Sequence, residues 1–290
     1  MRVRTLVVSL SVLGILTAAC ANAPAAPGDG GSGSGTLQYP RGSTDLLLRV
    51  GYEGGFVAPE YLLTAAAAFS LFGDGTTVTP GAQTEIYPGP ALPPLVATPI
   101  TDDGIQALLR AAVAAGLDED HEYSDMGSVG VADASTTVFT FTLEGVTHVT
   151  KVYALGMPGG DQPAGMPDAE FAARTRLERF QTSLQDLRHT LPAGSVGDDT
   201  MFTPSGLRLF VTDYRPADMK EPAVEWPLAT PLSSGEPSAT DGYTCLAVTG
   251  PDLEAVLPLA QSANQLTPWR SEGTKYSVLF RQLLPDESRC

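Results

Sequence analysis

The stretch Asp118-Glu119-Asp120-His121-Glu122-Tyr123-Ser124-Asp125 gathers five carboxylates and one imidazole within eight residues. Crowded oxygen ligands suit a hard cation such as Ca2+, but the stretch lacks the glycine and the ligand spacing of a calcium-binding helix–loop–helix. His121-Glu122-Tyr123-Ser124-Asp125 also falls one residue short of the zinc-binding H-E-x-x-H. The reading is a solvated acidic turn, with no metal or cofactor implied. Of the other two histidines, His189 closes an amphipathic helix, where a cation suits the helix dipole, and His148 sits mid-strand as a packing residue. No G-x-S-x-G elbow occurs, and no Ser-x-x-Lys precedes Lys151, Lys220 or Lys275. A carboxylate pair acting as acid and base stays open, because the separation of its members is a property of the fold. Trp226 and Trp269 each lie beside a proline in a loop, and Arg270 follows Trp269. Exposed, such residues anchor interfaces; folded inward, each tryptophan would close a small core.

The three cysteines, Cys20, Cys245 and Cys290, have separate chemistry. Arg2 and Arg4 form a positive start, Thr5 to Leu16 is an apolar run shorter than a membrane span, and small residues lead to Cys20. This block resembles a bacterial lipoprotein signal, with Thr17 where the motif more often has leucine. The resemblance implies cleavage before Cys20, a diacylglyceryl thioether on its sulfur and an acyl group on the new amine. Two or more acyl chains hold a protein firmly, at about 0.8 kcal/mol per buried CH2. An odd cysteine count in an exported chain leaves one thiol to explain, and lipidation explains it. Cys245 and Cys290 are then the remaining pair, either bonded in an oxidising compartment or present as two thiols. As a bond, the pair would constrain the unfolded chain by roughly 4 kcal/mol.

The whole chain holds 17 basic and 33 acidic residues, a net charge of −16. A chain beginning at Cys20 loses Arg2 and Arg4 and no acid, and so carries 15 against 33, a net −18. Such a body repels phosphates, and nucleic acid is excluded as a partner. Hydrophobic residues make up 43% of 290, enough for one large core or two smaller ones.

These residues need elements to hold them. Ala21 to Gly35 is Pro/Ala-rich, then Gly/Ser-rich, a flexible tether with a root-mean-square reach of about 20 Å. The G-x-G-x-x-G spacing at Gly28 to Gly33 has no strand before it and no helix after it, and is discarded as a dinucleotide site. The folded body is expected from about Thr44. Asp45 to Phe56 reads as strand, and Phe69 to Gly81 as a hairpin about Asp74-Gly75. A proline-rich crossing follows at Tyr87 to Leu95. Thr101 caps a helix to Leu117 whose Ile105, Leu108, Leu109 and Val113 share one stripe. Thr136 to Leu155 alternates about Glu144-Gly145 as a second hairpin, placing Phe139, Phe141 and Leu143 on a face with Val146, His148 and Val152. Phe171, Leu177, Phe180, Leu184, Leu187 and Leu191 mark a second amphipathic helix from Asp168 to Leu191. Strands at Leu207 to Tyr214, Tyr243 to Val248 and Tyr276 to Pro285 flank a helix around Gly250 to Asn264. The class is α+β: mainly antiparallel sheet built from hairpins, with amphipathic helices packed on it. The organisation is signal peptide 1–19, lipidated tether 20–43, an N-terminal lobe 44–160 and a C-terminal lobe 161–290, the two lobes separate or continuous.

At Phe69 to Gly81, at Ile86-Tyr87-Pro88-Gly89-Pro90 and at the ending Leu283 to Cys290, the chain resembles an uncharacterised family of secreted actinobacterial lipoproteins. The resemblance implies anchoring on the outer face of the cytoplasmic membrane and carries over no functional residue. The expected function is non-enzymatic: a tethered domain that offers a surface to a wall polymer, a peptide or a partner protein. The alternative is an envelope hydrolase using carboxylates, and a third reading is an inhibitor with one protruding rigid loop. A cleft of convergent acids would favour the enzyme, and a shallow apolar patch holding Trp226 or Trp269 would favour binding.

Overall fold

Thr101 has extended backbone, and its Oγ1 accepts a hydrogen bond from the Gly104 N–H, so the helix begins at the next residue. Two such local signals, caps and tight turns, set most element boundaries in the computed structural model, which describes residues 35–157, 160–288 and 290. The leader, Cys20, the glycine motif and the tether as far as residue 34 lie outside the described residues.

The first sheet contains β1 (Leu46–Gly54), β2 (Phe69–Phe72), β3 (Thr76–Pro80), β4 (Leu95–Pro99), β5 (His121–Tyr123), β6 (Ser135–Leu143), β7 (Val146–Tyr153) and β8 (Thr200–Met201). Their order is β5-β7-β6-β1-β2-β3-β4-β8. The second contains β9 (Gly206–Asp213), β10 (Val224–Glu225), β11 (Glu236–Pro237), β12 (Thr244–Thr249), β13 (Trp269–Ser271) and β14 (Thr274–Gln282), in the order β10-β13-β14-β9-β12-β11. Among the described strands only β5/β7 and β10/β13 pair in parallel. The helices are α1 (Pro59–Thr64), α2 (Asp102–Ala115), α3 (Asp168–Ser183), α4 (Leu187–Thr190) and α5 (Pro251–Ser262). The molecule is therefore α+β with mostly antiparallel sheets.

Both expected hairpins are present. Glu144 and Gly145 take positive φ (53° and 79°), the geometry of a two-residue turn that matches strand twist. Phe141 pairs with His148 and Thr137 with Val152, so the expected face exists. It is buried at Phe139, Phe141 and Val152 and opens to solvent at Val146. Gly75 makes the β2–β3 turn at φ 88°, and a Cβ there would lie 2.4 Å from the Ile100 carbonyl oxygen.

The main core lies between the first sheet and helices α2 and α3, joining Leu108 and Leu109 to Phe139, Phe141, Leu177 and Phe180. A second core joins Leu207, Leu209, Trp269 and Phe280 of the second sheet to Val256 and Ala260 of α5. The helix expected to run unbroken to Leu191 stops at Ser183. Asp186 accepts from the His189 N–H at 3.2 Å, and the Thr190 hydroxyl donates to the carbonyls of Ser183 and Asp186. These local bonds compete with helix continuation and start α4 instead.

Two expected boundaries move. The body starts at Leu37 rather than Thr44: Leu37 exchanges two 2.9 Å hydrogen bonds with the buried Gln106 amide, and Tyr39 is 8% exposed. The stretch between Gly156 and Asp168 does not end a lobe, because α3, α4 and β8 beyond it all join the first sheet or its core. The sheets change over between Met201 and Gly206. Segments also cross the other way. Leu63 of α1 packs on Phe210 and Cys245 of the second sheet, Ala91 and Leu92 enter the second core, and Leu284 inserts among Phe72, Val78 and Leu95. Leu37–Cys290 forms one compact unit.

Candidate functional site

The tryptophans do not form a surface. Trp269 is fully buried and Trp226 is 8% exposed. Their rings meet edge to face at 6.0 Å, and Trp269 meets Phe280 at 5.1 Å. The exposed-anchor reading of Trp226 and Trp269 is corrected: β10 and β13 pair side by side, which turns both indoles into the second core. Arg270 alone stays at the surface, paired with Glu225 across the same two strands.

The acidic stretch is likewise built into the fold. His121 and Tyr123 form β5 beside β7, Asp120 accepts from the Val149 N–H at 2.6 Å, and His148 lies 3.8 Å from Asp120. Buried Arg174 of α3 donates to the carbonyls of Tyr123, Asp125 and Tyr153 and pairs with Glu170 at 3.1 Å. Among the described residues no group of three or more His, Cys, Asp or Glu side chains is placed to hold a metal ion. His189 is exposed and sits 2.8 Å from Asp186.

At the start of the body, Tyr39 and Arg41 converge on Asp102 in the first turn of α2. The Tyr39 hydroxyl donates to Asp102, and Arg41 holds the same carboxylate at 2.8 Å. Burial, then this hydrogen bond, pushes the Tyr39 phenol up to about 12. Arg41, then Tyr39, holds the Asp102 carboxyl below its ordinary value. All three groups bind one another, and their effect is to pin the entering chain to the helix end that favours negative charge.

Several exposed apolar side chains lie around α1 and the proline-rich crossing. Pro59 starts α1 at the position where a missing N–H is harmless. The crossing is held against the end of α5 by Ala91 N–H to Ala263 O (3.0 Å) and Gln265 N–H to Gly89 O (2.9 Å). Two hollows share Pro90. One of about 320 Å3 is lined by Glu60, Tyr61, Thr64, Pro93 and Gln265. The other, about 380 Å3, is lined by Gln83, Ile86, Pro88, Pro94 and Asn264. Phe56, Tyr61, Ile86 and Tyr87 stand exposed, Phe56 at 88%. Glu60 is fixed by the Tyr243 hydroxyl at 2.8 Å and by Arg215 at 3.4 Å. Its own backbone N–H, then Tyr243, holds its carboxyl below the ordinary value. Nothing in the residue types separates Tyr61 and Tyr87 from core tyrosines; the Pro59 start of α1 is the signal that could have located this face.

Cys245 and Cys290 form a disulfide with Cα atoms 5.8 Å apart. No helix among the described residues is long and apolar enough to cross a membrane. The chain matches no family model and shows no significant similarity to a curated protein or a solved structure.

Proposed function

We propose that this chain is a lipid-anchored binding protein on the outer face of an actinobacterial cytoplasmic membrane, attached through Cys20. On this reading the twin hollows about Pro90 receive an extended apolar segment of a partner protein. The observation that carries it is the position of that surface. The body begins where Gln38 meets the β6–β7 turn, its carbonyl accepting from Glu144 at 3.1 Å. Phe56 and α1 follow the far end of β1, whose nine residues span about 30 Å. Leu37, where the compact body begins, thus lies toward the other end of β1 from Phe56 and α1. The hollows have Glu60 as their one charged lining residue, and the body is acidic overall, so the fitting segment is apolar with basic flanks. The Cys245–Cys290 bond supports an oxidising compartment.

The anchor is tested by Cys20→Ala, which is expected to move the protein from the membrane to the soluble fraction; retention in the membrane overturns the lipid reading. The surface is tested by a photo-cross-linking residue placed at Tyr87 and, as a control, at Glu144 in intact cells. One partner captured from position 87, absent from position 144 and lost on Tyr61→Ala, supports the reading. Equal capture at both positions overturns it.

A further inference from the structure

The face of the first sheet that α3 covers continues past the end of that helix. Phe180 and Leu184 pack there with Val50 and Phe69, which stand opposite each other in the β1/β2 register. The helix ends at Ser183, and Asp186 caps α4 three residues later. A hollow of about 260 Å3 is left at this helix end. Buried Val50, Phe69 and Leu184 make its apolar floor, and Tyr52, Thr79, Gln181 and Gln185 make its polar rim. Tyr52 lies two residues along β1 from Val50 and so on the same face. Gln181 donates to the Tyr52 hydroxyl at 2.8 Å, which fixes the ring at the rim, where the residue is 48% exposed. The Gln185 amide and the Thr79 hydroxyl make no hydrogen bond among the described residues. None of the described lining residues is charged, in a chain of net charge −16.

We propose that this hollow binds one uncharged sugar ring, free or as a unit of a neutral glycan chain. A pyranose has an apolar C–H face and a girdle of hydroxyls that both donate and accept, and the hollow divides its surface in the same way. The C–H face rests on the apolar floor and the Tyr52 ring. The hydroxyls meet the two glutamines, whose amides each present an acceptor oxygen and two donor hydrogens in one plane, enough to bridge neighbouring hydroxyls. Tyr52 accepts from Gln181 and so keeps its own O–H to donate. The uncharged lining decides against ionic ligands, because a charge moved there loses water and gains no partner. It also holds no pair of carboxylates, so the sugar is bound and not cleaved. At about 260 Å3 the hollow falls below the roughly 300–1,000 Å3 of sites for larger ligands, which limits it to one ring. It shares no lining residue with the hollows about Pro90 and does not depend on their reading.

The test titrates glucose, galactose, mannose and N-acetylglucosamine into the full chain, held in a detergent without a sugar headgroup, and follows them by saturation-transfer NMR. Glucuronate and glucosamine serve as charged sugars and tetra-alanine as an uncharged non-sugar. At least one neutral sugar is expected to bind saturably with a Kd of roughly 1 mM, and the charged sugars about tenfold more weakly or not at all. Tyr52→Ala should weaken the neutral sugar roughly tenfold and Gln185→Ala about fivefold, while Arg270→Ala leaves it unchanged. Each variant is checked for fold by circular dichroism, and the exposed Gln185→Ala decides if Tyr52→Ala does not fold. A tetrasaccharide of the best sugar that binds more tightly than the single ring assigns a glycan chain, and equal binding assigns the free sugar. No binding by any neutral sugar, equal binding by a charged one, binding of tetra-alanine in their place, or binding unchanged in either folded rim variant overturns the proposal.

Discussion

Trp269 illustrates how much one side chain's surroundings decide. The residue is fully buried against Trp226 and Phe280, so Trp269→Ala should cost about 3–5 kcal/mol, read as a lower urea midpoint. Its indole N–H is buried without a partner. Trp269→Phe should therefore cost clearly less than the alanine change, because it removes an unmet donor along with some packing. Arg270→Ala, at an exposed ion pair, should stay within about 1 kcal/mol. Tyr39 makes a prediction about pH. Its phenol ionises near 10.0 when unfolded and near 12 when folded, so its stabilising contribution is complete below pH 10 and is lost as pH rises through 12. Asp102 works in the opposite sense: its folded value is lowered, so its contribution is present above 3.8 and is lost as pH falls further. Thermal melts across the alkaline range should show Tyr39→Phe losing less stability than the unaltered chain between pH 10 and 12.

Elements differ in how openly the residues announce them. The α2 helix and both hairpins were legible because a cap, a turn dipeptide and a periodic apolar pattern agree over a few residues. The strands β5, β8, β10 and β11 have two or three residues each and exist only because a neighbour offers a free edge. The position of β5 depends on Arg174, whose hydrogen bonds reach it from α3. Replacing that buried guanidinium by Arg174→Met leaves the Tyr123, Asp125 and Tyr153 carbonyls without their donor. The expected cost is about 3 kcal/mol, with faster amide exchange concentrated at residues 121–126. Unchanged exchange there would show that β5 is held by its strand pairing alone.

For the whole molecule, the disulfide closes a loop across a sequence separation of 45 and ties the segment after β14 to β12. Reduction should lower stability by about 4 kcal/mol on the chain-entropy account, measured by urea unfolding of oxidised and reduced protein. The residues alone determined the α+β class and the start and turn of the main helices and hairpins, since each rests on contacts close in sequence. Tertiary structure alone decided that Trp226 and Trp269 face inward, that Leu37 and Tyr39 belong to the body, and that Asp286 and Glu287 meet Arg49 and Arg281. It also brought the proline-rich crossing to the end of α5 to make the hollows about Pro90. Those outcomes join residues far apart in the chain, and a side chain's type does not say which distant strand will cover it.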